Sequence, residues 1–183
     1  SIGNLDNAEA GTFAITPDGS TTWTLPGSYE GLVGADGNFY ALGPTGVDAI
    51  SPTGLPVWHV DLVARTTLAE GPTGDLFLRT RDGVVRIDRK THVPKLVYAL
   101  HDDSMAWPST LVMDASGYLY FYFQGAKGPE VIVLDPSGAL AFTIDLSDPD
   151  GGTFGDYIDA TSLALGDCVL YVGAFTHLVA VGL

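Results

Sequence analysis

The 183-residue chain has one cysteine, eight lysines and arginines, and no apolar run of eighteen residues. A single cysteine forms no intrachain disulfide, so it carries no information about compartment. Within the apolar run "CVLYV", Cys168 reads as a buried structural thiol. Eight bases against 22 acids give a formal charge of −14. Nucleic acid and anionic membranes both require a basic footprint, so neither is expected as a partner. Without a long apolar run, no membrane insertion is expected either. An apolar period of 3.6 is also missing over any twelve residues, which argues against helices. The sequence opens at Ser1 with neither a start methionine nor a signal segment, as a processed or trimmed chain would.

What the chain does contain is a repeated phrase. "ADGNFYAL" at 35–42 returns as "ASGYLYFY" at 115–122. Aligned on the turn, "GADGNFYAL" places Tyr40, "GPTGDLFLR" Phe77, "DASGYLYFY" Tyr120 and "LGDCVLYVG" Tyr171. A second phrase interleaves with the first: "ITPDGSTTW" ends on Trp23, "ISPTGLPVW" on Trp58 and "LDPSGALAF" on Phe142. In each copy a proline-containing turn leads to glycine, and a large aromatic follows four residues later. A further copy is expected in "IDRKTHVPKLVY", with Thr91 or His92 in place of glycine and Tyr98 near the aromatic position. Gly19 and Gly54 are 35 residues apart, and Gly54 and Gly138 are 84 apart, or two units of about 42. Two phrases in register over four units define a repeat protein.

Residues 31–62 are the clearest copy. Turn signals at Asp36-Gly37, Pro44-Thr45-Gly46 and Pro52-Thr53-Gly54 cut them into four short strands. Four short antiparallel strands per unit of about 40 residues is the pattern of a β-propeller blade. Face-to-face stacking of blades also accounts for nearly continuous apolar strands such as "YLYFYF" and "EVIVLD". The expected fold is all-β: one propeller region over 1–183, with units near 10–27, 31–62, 68–101, 110–146 and 161–183. It has about four four-stranded antiparallel blades, the first and last incomplete. Two, twelve and three strands are expected in the partial, complete and final units. Seventeen strands are one too many for a tidy ring of four, and a bare arc would leave strand edges exposed. The expectation is therefore an arc of a larger propeller whose other blades come from missing polypeptide or another chain, rather than a small ring closed by both termini.

These phrases resemble the pyrroloquinoline-quinone-like propeller repeat, with its "D-G-x-x-Y" strand turn and later "D/S-P-x-G-x-x-x-W" turn. The resemblance spans roughly 11–183 and implies a propeller in which Trp23, Trp58 and Phe142 dock between neighbouring blades. It does not imply bound quinone. The quinoprotein docking phrase is Ala-x-Asp-x-x-Thr-Gly-x-x-x-Trp, whereas "AISPTGLPVW" is one residue short and has Ser51 for the Asp. A second resemblance is confined to "TPDGSTTW", which is similar to the Asp-box of sialidases and reads here as a structural hairpin.

Candidate sites are few. His59, His92, His101 and His177 fall in different units, and no two have a metal-binding spacing. "HDDS" at 101–104 reads as a solvated loop. The glycine-bent acidic stretch "DLSDPDGGTFGDYID" is a candidate calcium loop through Asp145, Asp148 and Asp150; no other cofactor is expected. Charge placement says more. All bases lie between Arg65 and Lys127, whereas residues 1–64 carry seven acids and residues 128–183 eight, with no base in either. Arg79 and Arg81 are expected on one strand face with Phe77, ion-paired to neighbouring blades. Arg89, Lys90 and Lys95 are the candidate partner-binding residues.

The expected function is a non-catalytic propeller module for protein interaction or scaffolding, in the periplasm or outside the cell. Its partner would be another protein chain or a missing part of the same polypeptide. The alternative is part of a propeller enzyme, either a quinoprotein-type oxidoreductase or a glycan-active hydrolase or lyase.

Overall fold

The computed structural model describes residues 11–26, 29–100, 110–125, 128–146, 162–173 and 178–183. Seventeen strands and no helix occur among the described residues. The chain divides into two compact units, Ser1–Leu62 and Val63–Leu183. In the first, β1 (Gly11–Ile15) pairs with β2 (Thr21–Pro26), and β3 (Glu30–Val33), β4 (Phe39–Leu42), β5 (Gly46–Ile50) and β6 (Pro56–Asp61) form a four-stranded antiparallel sheet.

The second unit holds two more four-stranded sheets. One is β7 (Ala69–Glu70), β8 (Leu76–Thr80), β9 (Gly83–Ile87) and β10 (Pro94–Ala99); the other is β11 (Leu111–Met113), β12 (Leu119–Gly125), β13 (Gly128–Leu134) and β14 (Leu140–Asp145). A three-stranded sheet follows, β15 (Ser162–Gly166), β16 (Val169–Gly173) and β17 (Leu178–Gly182). Every sheet is a meander, its strands paired in chain order. These are the blades that the repeat predicts: three complete, with a two-stranded piece before them and a three-stranded one after.

The repeated glycines make the turns. Gly19, Gly37, Gly54, Gly74, Gly117 and Gly138 all have φ between 82° and 88°, the left-handed region in which a side chain is strained. Each donates its amide to the carbonyl three residues back, as in Gly54 to Ser51 at 2.9 Å. A type I turn closed by a left-handed residue turns the chain tightly enough to pair the flanking strands. In the copy without glycine, His92 takes that position at φ 56°, after one extra residue. Lys95, not Tyr98, then lies in the aromatic row. Strand register gives the rows Tyr40–Ala49–Trp58, Phe77–Arg86–Lys95 and Tyr120–Val133–Phe142.

The last copy has no glycine either. Asp167 (φ 48°) and Cys168 (φ 61°) make the two-residue turn between β15 and β16, and Cys168 is exposed. The expected buried thiol is therefore corrected: the turn takes Cys168 out of the apolar run and points it to solvent.

Inside the second unit β13 is buried on both faces, its successive residues pointing to opposite sides, whereas the outer strand β14 is largely exposed. Val131 and Val133 pack with Tyr120, Leu163, Leu170 and Val172. Ile132 and Leu134 pack with Ala69, Val84, Leu111 and Phe121. Burying each such side chain contributes roughly 1.5–3 kcal/mol, against about 0–1 kcal/mol for an exposed ion pair. Apolar contact between sheets, not surface charge, holds this unit together.

The docking aromatics divide three ways. Trp23 docks onto the next sheet, its Nε1 donating to the Pro52 carbonyl at 3.2 Å and its ring centroid 6.0 Å from that of Phe39. Trp58 reaches across its own sheet to Tyr40, with centroids 5.6 Å apart; the small Ala49 between them lets the rings meet. Phe142 is 45 % exposed. Where Trp23 lies on Gly54 in the first unit, Val97 lies on Gly138 in the second.

Candidate functional site

The basic segment is built on the β9–β10 turn. The Asp88 carboxylate accepts the amides of Lys90 (2.9 Å) and Thr91 (2.8 Å) and the Thr91 hydroxyl (2.9 Å). Those bonds, the Thr91 amide first, hold its pKa below the ordinary carboxylate value. His92 closes the turn by donating its amide to the Asp88 carbonyl at 2.8 Å. Arg89 donates its amide to Asp75 Oδ1 at 2.9 Å, and its side chain crosses the Gly74 turn so closely that a Cβ there would stand 2.3 Å from Nη1. Asp75 also faces Arg86, with Oδ2 3.8 Å from Nε.

Arg89 and Lys90 are thus neighbours at the exposed tip, and Lys95 is exposed on β10 opposite Arg86. Val93 (59 % exposed) lies between Lys90 and Lys95, and Leu96 (46 %) is exposed on the other face of β10 from Lys95. The tip is basic with an exposed apolar side chain, fixed by backbone bonds to two aspartates. β10 is the outermost strand of its sheet; Pro94, Lys95 and the bulge after Leu96 blunt its free edge against strand addition. Contacts to this surface would therefore go through side chains.

The expectation that Arg79 and Arg81 share one strand face is corrected. Arg79 is on β8, 2 % exposed, its guanidinium 5.5 Å from the centre of the Phe123 ring. Arg81 is in the exposed β8–β9 turn, because β8 ends at Thr80. Of the candidate calcium ligands, Asp145 ends β14 opposite Glu130 and is exposed. Asp148 and Asp150 lie outside the described residues, as do His101–Ser104 and His177. Among the described residues no group of three His, Cys, Asp or Glu side chains is placed to hold a metal ion.

The Asp-box-like turn is a self-contained hydrogen-bond cluster. Asp18 accepts from the Thr16 hydroxyl, from the Ser20 hydroxyl at 2.8 Å and from the Ser20 amide at 3.1 Å. Its pKa falls from 3.8 to about 2, through the Thr16 hydroxyl first. The same logic recurs in other turns. Asp114 accepts the Ser116 and Tyr118 amides, and the Tyr120 hydroxyl donates to it at 3.2 Å. Burial first, then the Asp114 charge, pushes the Tyr120 phenol up to about 12.

One cluster follows from no motif in the sequence. His59 Nδ1 is 2.8 Å from Asp48 Oδ1, and its Nε2 is 3.1 Å from Asp61 Oδ1. Regular pairing from the Gly54 turn puts Trp58 opposite Asp48, and only the bulge between Ala49 and Ile50 brings His59 there, so no signal in the sequence finds it.

No protein-family model and no curated protein sequence matches the chain. Solved structures do. The chain is similar to BamB from Moraxella catarrhalis, with TM-score 0.65 and 19 % identity over 94 % of this chain and 51 % of that one. It is similar to a gluconolactonase from Xanthomonas campestris, with TM-score 0.60 and 19 % identity over 89 % of this chain and 62 % of that one. A third is a catalytically inactive virginiamycin B lyase from Staphylococcus aureus, with TM-score 0.60 and 16 % identity over 92 % and 61 %. These are β-propeller proteins, and at such identities the likeness establishes the fold alone: this chain is a β-propeller. It spans less than two thirds of the length of each.

Proposed function

We propose that this chain is a non-catalytic β-propeller module of the quinone-like repeat type, which binds an acidic protein surface through Arg89, Lys90 and Lys95. The observation that carries the reading is the confinement of positive charge. Seven of eight bases lie between Arg65 and Lys95, while the stretches 1–64 and 128–183 hold fifteen acids (7 + 8) and no base. An acidic partner meets only repulsion from the charges of those two stretches and finds cations at this turn, so charge favours encounter there. Exposed Val93 supplies apolar contact beside the cations.

The partner is another chain or further polypeptide of the same protein, and the module works in the periplasm or outside the cell. A module of this kind takes up no pyrroloquinoline quinone. In the nearest match to the quinoprotein phrase, Ser51 serves the turn instead, its Oγ accepting the Leu55 amide at 3.0 Å. Calcium, if bound, would use Asp145 with Asp148 and Asp150.

The test is the triple variant Arg89→Glu, Lys90→Glu, Lys95→Glu, compared with the parent for binding of poly-L-glutamate by fluorescence anisotropy at low salt. The parent is expected to bind saturably and to lose binding as salt rises. The variant should lose at least tenfold in affinity and keep its melting temperature, since exposed charges contribute little to stability. Equal binding by parent and variant overturns the assignment, and so does unfolding of the variant. Dye-linked dehydrogenase activity on adding quinone would favour the enzyme reading.

A further inference from the structure

Both ring nitrogens of His59 face carboxylates, Asp48 at 2.8 Å and Asp61 at 3.1 Å. An ionised carboxylate only accepts hydrogen bonds, and a neutral imidazole has only one N–H to give. Both contacts are satisfied together only by the imidazolium. The arrangement is built into the sheet. Register places His59 on β6 opposite Asp48 on β5, and Asp61 two residues further along the same face. Beneath the ring, Gly46 leaves the room: a Cβ there would stand 3.0 Å from His59 Cε1 and 2.0 Å from the Val60 carbonyl oxygen.

The charged surroundings are simple. The sheet packed against this face is β1–β2, which carries no charged side chain. Asp18, in its turn, is tied to Thr16 and Ser20. Tyr29 lies alongside Gly43 near Asp48, and Glu30, paired with Leu42, alternates to the opposite face. Residues 1–64 contain no lysine or arginine and no other histidine, so His59 is the one side chain there that becomes a cation near neutral pH.

We infer that His59 is a pH-gated tie, which as imidazolium sits between Asp48 on β5 and Asp61 at the C-terminal end of the outermost strand β6 and on losing its proton to solvent leaves the two carboxylates without a cation between them, loosening that end while its backbone pairing to β5 persists. Without the proton one carboxylate loses its donor, and Asp48 and Asp61 repel each other across a neutral ring. Asp48 first, and then Asp61, raise the ring's pKa above 6.5. A group raised on folding stabilises fully below its unfolded value. The tie therefore holds below pH 6.5 and loosens as pH rises through the folded value.

Imidazole 15N NMR and amide exchange protection factors of residues 59–61, both followed from pH 5 to 9, test this on the whole chain. Both ring nitrogens should carry protons at pH 6.5, and protection of 59–61 relative to Val47 should fall as the ring titrates. His59→Gln should show no such fall. Asp61→Asn, a change at a side chain 94 % exposed and so harmless to folding, should lower the ring's midpoint. A midpoint at or below 6.5, or a protection profile matching that of His59→Gln, overturns the inference, as does an unmoved midpoint in Asp61→Asn.

Discussion

Trp23 lies so close over Gly54 that a Cβ on that glycine would stand 2.6 Å from the tryptophan Cβ and 2.7 Å from its Cγ. One glycine thus serves two ends: it turns β5 into β6 at φ 83°, and it gives the preceding sheet a flat place to dock.

Gly19 and Gly54 separate these two roles. Gly19 has φ 87°, and a Cβ added there would have nothing within 4 Å, so Gly19→Ala meets backbone strain alone, about 1–2 kcal/mol. Gly54→Ala adds overpacking against Trp23, roughly a further 1–3 kcal/mol. Urea unfolding of the two variants should show the larger loss at Gly54, and equal losses would mean that Trp23 moves aside freely.

Cys168 is a side chain where the repeat has glycine. Two-residue hairpin turns with both residues left-handed favour Asp-Gly, and here the pair is Asp167-Cys168. Cys168→Gly should stabilise the protein by about 0.5–1 kcal/mol, the relief of strain exceeding the extra freedom gained by the unfolded chain. Cys168→Val should destabilise it. A lower denaturation midpoint for the glycine variant would remove the argument. Reaction of the native thiol with a disulfide reagent, without denaturant, checks its exposure.

Asp18 sets an acid limb for its turn. Its pKa is lowered on folding, from 3.8 to about 2, so its contribution is present above the unfolded value and lost as pH falls through the folded one. Asp18→Asn should therefore be less stable than the parent at pH 7, and the two should converge between pH 4 and about pH 2. Carboxyl 13C shifts should place the Asp18 midpoint near 2; a midpoint near 4 would show that the Thr16 and Ser20 bonds do not hold in solution.

The turns and strands were legible in the sequence because their causes are local. Glycine at a left-handed position, an aspartate or serine beside it and apolar residues on either side act within a few residues of one another. That is why the repeat led to three complete sheets with partial ones before and after. Arg79 was less legible: a strand position says which face a side chain takes, and only the next sheet brings Phe123 to 5.5 Å from its guanidinium. The basic turn was legible as charge, but it is held by the local Asp88 and also by Asp75, fourteen residues away from Arg89.

His59 shows where local reading stops. Sequence by itself determined that a hairpin turns at Gly54 and that Asp48, His59 and Asp61 flank it. Regular pairing outward from Ile50 and Pro56 would put Trp58 opposite Asp48. The sheet instead carries a bulge between Ala49 and Ile50, which sets Trp58 opposite Ala49 and His59 opposite Asp48. Trp58 gains the Tyr40 ring by that shift. A one-residue change of register exchanges the two faces of a strand, and burial across the whole sheet, which no short stretch of sequence contains, chose between them.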